Sequence, residues 1–366
     1  MKKKTIIFIA IIVSAVISIF VWSISMPSRL VYFGGSSSVN PFMQIATKEF
    51  DKGKNYEVIY NSNGSQNGVR SVENGTYSVG MISKEIKENT LSKGSVFSNY
   101  ESVDEDLTDP AHLHEFSVAV KNDNSINAIE FAIDAIVIMY NPPAWLDDEM
   151  LNSIDIDLSK KEHKDIIKEI YSNSKYTWRD FLLDINKGNK QLLNKISLQS
   201  NVDLLVPISR ESGSGTRKSF DDFFGITNVD SGTANSNGSM ITQLRDTNGS
   251  FGYVSYGFYK NSQNNNLQTP WINSHRLGQD GEVEIKNSSI ISEHDGMLNE
   301  EYIRQGYYLL KRPFIMLFSS SDKKVDIVLE FVEFLVSEKA KHAYEEEGLV
   351  PKMGYLKNGG IKTNDY

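Results

Sequence analysis

The chain contains no cysteine among its 366 residues, and basic side chains are in the minority. The absence of cysteine excludes disulfides, iron–sulfur clusters, thiolate zinc sites and a cysteine nucleophile. Lys and Arg number 38 against 47 Asp and Glu, which gives a formal net charge of -9. This excess of acidic residues argues against nucleic acid as a partner, because phosphate backbones are bound by basic surfaces.

Two enzyme signatures are also missing. No Gly-x-Ser-x-Gly sequence is present, so a hydrolase nucleophile elbow has no support. Residues 212–219 end in Lys-Ser after a glycine-rich turn, but Ser212 and Arg217 occupy positions where a P-loop needs glycine. His112 and His114 have the spacing of neighbouring ligands on a strand, yet the other histidines are scattered. We therefore expect a binding protein with no metal and no cofactor, rather than an enzyme.

The amino terminus has the composition of a membrane segment. Residues 5–28 contain no ionisable side chain and follow three lysines at positions 2–4. A helix of about 20 apolar residues crosses a bilayer, and the positive-inside rule keeps the lysines cytoplasmic. We predict that residues 1–28 form an N-terminal transmembrane helix, a single-pass anchor in the cell membrane with the binding domain on the extracellular face. The alternative is a cleaved signal sequence, whose apolar region is usually only about 7 to 15 residues long.

After residue 28, short apolar segments alternate with helical patterns, which indicates an α/β fold with a mainly parallel sheet. The apolar stripe within residues 325–336 predicts a core helix, in a helical region closed by Gly348. Residues 142–175 are rich in acidic residues and lysine, and we expect a surface insertion with one amphipathic helix near residues 160–171. The predicted strands are residues 30–33, 56–60, 79–83, 115–121, 133–140 and 203–208.

A turn rich in glycine and hydroxyl residues occurs three times between a predicted strand and a predicted helix, at residues 35–38, 64–68 and 212–216. Glycine lets the backbone approach a ligand, while hydroxyls and helix N-terminal amides donate hydrogen bonds to anions. Ligands of open α/β sheets bind at the carboxyl ends of strands, so the three turns predict one oxyanion site. Arg210 supplies a planar guanidinium for two oxygens of a tetrahedral anion. Glu211 beside it either tunes Arg210 or simply faces solvent, and we expect that it faces solvent.

These segments resemble the phosphate-binding protein of bacterial phosphate ABC transporters. The resemblance spans residues 30–352, and its most specific part is the Arg-x-x-Gly-Ser-Gly-Thr sequence of residues 210–216. It implies a two-lobed type II periplasmic-binding-protein fold that closes on a dehydrated anion. The implied division places residues 29–120 and 270–366 in lobe I and residues 121–269 in lobe II.

The resemblance also implies the site, position by position. Members of the family have an aspartate where this chain has Ser83, and that carboxylate accepts a proton from phosphate and helps to reject sulfate. A serine can accept or donate there, so the choice of anion stays open. The implied phosphate-binding residues are Ser38, Val39, Ser65, Ser83, Arg210, Ser214, Gly215 and Thr216.

The implied function is extracytoplasmic binding of inorganic phosphate by a monomer that delivers it to the permease subunits of an ABC transporter. Two alternatives remain at this point. The same fold can bind another oxyanion, such as sulfate, molybdate or a small phosphorylated compound. The protein can also be a surface adhesion or sensing module that has kept the fold.

Overall fold

The structure is a computed structural model, which describes residues 13–14, 18, 30–86, 90–92, 106–122, 125–200, 203–262, 267–277, 283–287, 303 and 308–356. The predicted transmembrane helix of residues 1–28 lies almost wholly outside these residues. Within the described part of the chain, no helix is both long enough and apolar enough to cross a membrane.

The elements alternate along the chain as an α/β fold requires. The strands are β1 (Leu30–Gly35), β2 (Glu57–Ser62), β3 (Val79–Ile82), β4 (Ile126–Tyr140), β5 (Asp155–Asp157), β6 (Val206–Arg210), β7 (Gly232–Ala234), β8 (Ser250–Ser255), β9 (Trp271–Leu277), β10 (Val283–Asn287), β11 (Lys311–Ser319) and β12 (Val350–Leu356). The helices are α1 (Asn40–Phe50), α2 (Ser65–Glu73), α3 (Pro110–Lys121), α4 (Asp148–Asn152), α5 (Lys161–Ser172), α6 (Trp178–Ile185), α7 (Lys190–Ser197), α8 (Gly215–Phe224), α9 (Asn237–Asp246), α10 (Tyr256–Lys260), α11 (Val325–Leu335) and α12 (Glu338–Glu347).

One mixed sheet runs through the molecule in the order β2, β1, β3, β11, β4, β8, β6, β7, and β12 also pairs with β4. β1 is parallel to β2 and β3, and β6 is parallel to β7 and β8. The long strand β4 is antiparallel to β11 and β12 over its first part and to β8 over its last part. β4 therefore joins two parallel groups of strands, and the carboxyl ends of each group are where ligand-binding turns belong.

Two apolar cores give the molecule two lobes. The lobe I core is built mainly from β1 to β3, β11, α1, α11 and α12, and includes Val31, Phe33, Phe42, Phe50, Phe131, Phe314, Phe331 and Tyr344. The lobe II core is built mainly from β4, β6, β8 and the helices α5 to α9, and includes Ile136, Met150, Ile167, Tyr171, Trp178, Phe181, Phe220, Phe251 and Tyr253. Edge-on aromatic contacts recur in both, with Phe33 against Phe331 at 5.2 Å and Trp178 against Phe181 at 5.7 Å.

These cores do not follow the predicted limits at residues 121 and 269. Ile129 and Phe131 pack in the lobe I core, whereas Ile272, Tyr308 and Leu310 pack in the lobe II core. The reason lies in the two strands that cross between the lobes. β4 begins in lobe I, and the chain returns from lobe II only where β11 begins.

The expectation of a surface insertion at residues 142–175 is wrong. The predicted amphipathic helix is present as α5, but the segment contributes fully buried residues to the lobe II core, among them Met150, Ile156 and Ile167. Charged residues are numerous in this segment, and its apolar residues stand in short groups such as the alternating Ile154, Ile156 and Leu158 around β5. Their burial depends on neighbours that are distant in the sequence.

The strand predicted at residues 115–121 is also wrong, because these residues form the end of α3. The Asp109 side chain caps this helix by accepting a hydrogen bond from the Ala111 amide at 2.7 Å, and Pro110 stands in the first turn, where proline is tolerated. Phe116 and Val120 are the buried residues of α3, four positions apart. That spacing places them on one face of a helix.

Candidate functional site

The first two predicted turns lie side by side in lobe I. Gly35 ends β1, and its carbonyl accepts hydrogen bonds from the amides of Asn63 and Gly64 at 2.9 and 2.7 Å. Gly35 has a φ of 130°, and a Cβ there would lie 2.2 Å from the Met81 carbonyl oxygen. Only glycine fits this backbone position. The turns after β1 and β2 are thereby held together beside the end of β3.

The third predicted turn comes from lobe II, between β6 and α8. Gly213 has a φ of 89°, and the Ser214 side chain caps α8 by accepting a hydrogen bond from the Arg217 amide at 3.3 Å. Gly215, at the first position of α8, lies against lobe I. A Cβ on Gly215 would meet Ser83 Oγ at 2.2 Å and Ser65 Oγ at 2.8 Å, so the turns of the two lobes are in direct contact.

Arg210 ends β6, and its side chain is only 1% exposed. Its Nε and Nη2 donate to the two Glu211 carboxylate oxygens at 2.8 and 2.9 Å. Nη1 donates to Asn237 Oδ1 at 2.9 Å, and Nη2 also donates to Ser37 Oγ of lobe I at 3.0 Å. The expectation that Glu211 simply faces solvent is therefore wrong, because its carboxylate pairs with the guanidinium. Burial of this cation requires such a partner.

Hydroxyl groups of both lobes surround the guanidinium. Ser38 Oγ and Thr216 Oγ1 lie 2.9 Å apart across the lobes, and Asn237 Nδ2 donates to Ser38 Oγ at 3.1 Å. Ser65 and Ser83 adjoin each other in lobe I, with 3.4 Å between their hydroxyl oxygens. We call this group the inter-lobe cluster, and its members are Ser36, Ser37, Ser38, Ser65, Ser83, Arg210, Ser214, Gly215, Thr216 and Asn237.

Seven of the eight predicted site residues lie in this cluster, and Val39 is the exception. Val39 is fully buried in the lobe I core. Its amide donates to the Ser36 carbonyl at 3.2 Å, so the turn itself uses this donor. Ser36 takes a role that the sequence did not suggest, since its Oγ bonds both the Ser38 amide and Ser83 Oγ.

Asn237 is a site residue that the sequence reasoning missed. It is fully buried and begins α9, which follows the three-residue strand β7. The intervening turn is Asn235-Ser236, and Ser236 caps α9 by accepting from the Ser239 amide at 3.0 Å. This is a fourth turn between a strand and a helix with a hydroxyl cap, although it contains no glycine. It was not recognised because a strand of three residues leaves no alternating pattern.

A second buried guanidinium adjoins the cluster. Arg312 of β11 donates from Nε and Nη2 to Asp134 Oδ2 of β4 at 2.9 and 2.7 Å, and its Nη1 lies 3.5 Å from Ser83 Oγ. Ser255 Oγ donates to both Asp134 oxygens. Burial raises the pKa of Asp134, although Arg312 and Ser255 oppose the rise. This pair joins the two crossing strands at the base of the site.

A cleft of 360 Å³ opens between the lobes beside Arg312. Lys84 lines it from lobe I and Lys218 from lobe II, and Lys311 lines its base. Glu85 and Asp222 also line the cleft, so its charge is mixed but predominantly positive.

Metal-ligating side chains do not gather at this site. In the described ranges, no group of three or more His, Asp or Glu side chains is arranged to hold a metal ion. His112 and His114 lie exposed on α3, where residues two positions apart do not share a face. The donor set of the cluster, which consists of hydroxyls, amides and a guanidinium, suits an oxyanion instead.

Comparison with known proteins agrees with this fold. A family model described as a PBP superfamily domain matches residues 27–339. No curated protein matches the chain.

Two of the solved structures that share its fold are informative. One, from Clostridium perfringens, is described as a phosphate ABC transporter substrate-binding protein with bound phosphate; it is 19% identical with a TM-score of 0.56, covering 88% of this chain and 99% of its own. The other, from Vibrio cholerae, is described as an ABC-type phosphate transport receptor; it is 19% identical with a TM-score of 0.53, covering 87% of this chain and 99% of its own.

Proposed function

Because the chain belongs to the PBP superfamily, we propose that it is an extracytoplasmic receptor that binds inorganic phosphate and delivers it to the permease of an ABC transporter. The observation that carries this proposal is the buried Arg210, which donates within lobe II and also to Ser37 of lobe I. A small oxyanion needs many hydrogen-bond donors and a positive charge, and this cluster supplies both. The descriptions of the two similar structures name phosphate as their ligand or cargo.

In this proposal the anion holds the two lobes together. Ser38, Ser65 and Ser83 donate from lobe I, while lobe II contributes Arg210 and the turn of residues 214–216. An open molecule closes when the anion satisfies donors of both lobes at once, so binding shifts the population toward the closed state. No bond of the ligand is broken, which makes the protein a receptor and not an enzyme.

The proposal also covers the division between the lobes and the location of the protein in the cell. We propose that the lobes divide near residues 134 and 311, where β4 and β11 cross, and that residues 1–28 anchor the protein in the cell membrane as a single-pass helix. The binding domain then works as a monomer on the extracellular face. A cleaved signal sequence would leave the binding function unchanged.

Replacement of Arg210 tests the site. Arg210→Ala removes the guanidinium that binds both lobes, and we expect it to weaken phosphate binding by more than about tenfold, since a hydrogen bond to a charged group contributes about 1.5 to 3 kcal/mol. Isothermal titration calorimetry measures the affinity, and circular dichroism checks the fold. Arg245→Ala is the matched control, because Arg245 is exposed and its guanidinium pairs with its neighbour Asp246. An unchanged affinity of the Arg210 variant would refute the site.

A further inference from the structure

One series of hydrogen bonds in the inter-lobe cluster has a fixed direction, and it starts from Arg210. A guanidinium has only donors, so the group that faces its Nη1 is the amide oxygen of Asn237. The amide nitrogen of Asn237 must then face Ser38 Oγ, to which it donates at 3.1 Å. Ser38 accepts on this side, and its own hydroxyl proton is left for Thr216 or for a ligand.

A second series of bonds with the same direction ends at Ser83. Ser36 Oγ donates to Ser83 Oγ at 2.7 Å, and Arg312 Nη1 approaches the same oxygen at 3.5 Å. A serine hydroxyl has two acceptor positions and one proton. With both acceptor positions of Ser83 facing donors, its proton points to Ser65 or to a ligand. Ser65 Oγ likewise accepts from the Ser83 amide at 3.3 Å.

The carboxylates near the cluster already accept hydrogen bonds from other side chains. Both oxygens of Glu211 accept from Arg210. Asp134 accepts from Arg312 and Ser255 and is fully buried behind them. In the part of the chain that the structure describes, the hydrogen bonds of the cluster involve no further carboxylate. Among the described residues, the cluster thus offers hydroxyl groups but no carboxylate that is free of a partner.

We propose that this site binds tetrahedral oxyanions through donated hydrogen bonds alone, and so does not reject an anion whose four oxygens all lack a proton. This inference rests on the proposed oxyanion site and deepens it by naming the ligand class. Monohydrogen phosphate keeps one proton that needs an acceptor, whereas sulfate has none. The site consequently binds sulfate about as tightly as phosphate. Ser36 and Arg312 orient the Ser83 hydroxyl, and Asn237 orients the Ser38 hydroxyl, so these three are positioning residues.

Calorimetric titration of the full-length chain with sodium phosphate and with sodium sulfate near neutral pH tests the inference. We expect the two dissociation constants to agree within about tenfold. A phosphate preference larger than tenfold would overturn the inference while leaving the proposed phosphate receptor intact. Binding of neither anion would overturn both proposals.

A carboxylate introduced at position 83 should create the missing acceptor. We expect Ser83→Asp to lower sulfate affinity by more than about a hundredfold relative to phosphate, because a carboxylate repels an anion that cannot share a proton with it. Ser337→Asp is the control: it adds the same charge at the N-cap of α12, outside the cluster, and should leave the ratio unchanged. An unchanged ratio in Ser83→Asp, with the fold intact, would contradict the inference.

Ser83→Ala covers the case in which the aspartate variant does not fold. If Ser83 donates to the ligand, its removal weakens phosphate and sulfate by similar factors. A selective loss of phosphate would mean that Ser83 accepts the phosphate proton, and that result would overturn the inference. The ratio of the two affinities, which a merely structural role would not move, decides between these outcomes.

Discussion

The two lobes meet at Gly215, and they can do so because this residue has no side chain. It begins α8 and faces Ser65 and Ser83, and a Cβ added there would lie 2.2 Å from Ser83 Oγ and 2.7 Å from the Ser83 carbonyl. The nearest groups include backbone, which cannot rotate away. The lobes could approach this closely only if position 215 remained glycine.

We expect Gly215→Ala to weaken phosphate binding at least about tenfold, because the added methyl group holds the lobes apart by an amount that breaks several hydrogen bonds. The variant should fold normally, since alanine favours a helix over glycine by about 1 kcal/mol. Calorimetry and thermal unfolding measure the two effects. Gly188→Ala is the control, because a Cβ at Gly188 meets nothing within 4 Å. Wild-type affinity in the Gly215 variant would show that the lobes do not meet there on binding.

At the scale of elements, the end of α12 in lobe I contacts the start of α10 in lobe II. A Cβ on Gly257 would lie 2.4 Å from Glu347 Oε2, and Lys260 donates to the carbonyls of Glu345 and Glu346 at 3.2 and 2.7 Å. Burial raises the pKa of the Glu347 carboxyl from its ordinary 4.5 to about 7, against the lowering effect of Lys260. The helix contact therefore favours the protonated form.

This shift makes stability depend on pH. Between pH 4.5 and about 7 the folded state binds more protons at Glu347 than the unfolded state does, so this group lowers the free energy of unfolding as pH rises. Glu347→Gln should raise that free energy by about 1 to 3 kcal/mol at pH 8 and by little at pH 4. Thermal unfolding at both pH values measures it, with Glu115→Gln at an exposed position of α3 as control. Equal stabilisation at the two pH values would argue against titration of Glu347.

At the scale of the whole molecule, a net charge of -9 opposes the approach of an anion, although lysines line the cleft beside the site. The repulsion from the net charge acts at longer range than the attraction from the lysines of the cleft. Salt screens charges separated by more than about 10 Å at 0.1 M. We therefore expect phosphate to associate faster as ionic strength rises, in stopped-flow measurements with a non-competing salt such as sodium chloride. A rate that falls with added salt would show that the lysines of the cleft dominate capture.

The sequence alone determined the alternation of strands and helices, and it predicted that the three glycine-rich turns and Arg210 lie together. These features are local: a glycine-rich turn, a strand and a helix each leave a pattern within about ten residues. That is why α5 was predicted correctly and why seven site residues lie in one cluster. The prediction of two lobes and the full set of predicted site residues came from the resemblance to a known family.

Only the tertiary structure decided which groups share a hydrogen bond and in which direction. Asn237, Arg312 and Asp134 come from strands and helices far apart in the chain, and no local pattern shows that Arg312 pairs with Asp134 or that Asn237 faces Arg210. The same reason explains the burial of residues 142–175. Their environment is set by neighbours from other elements, because burial and hydrogen-bond direction are properties of the assembled lobes.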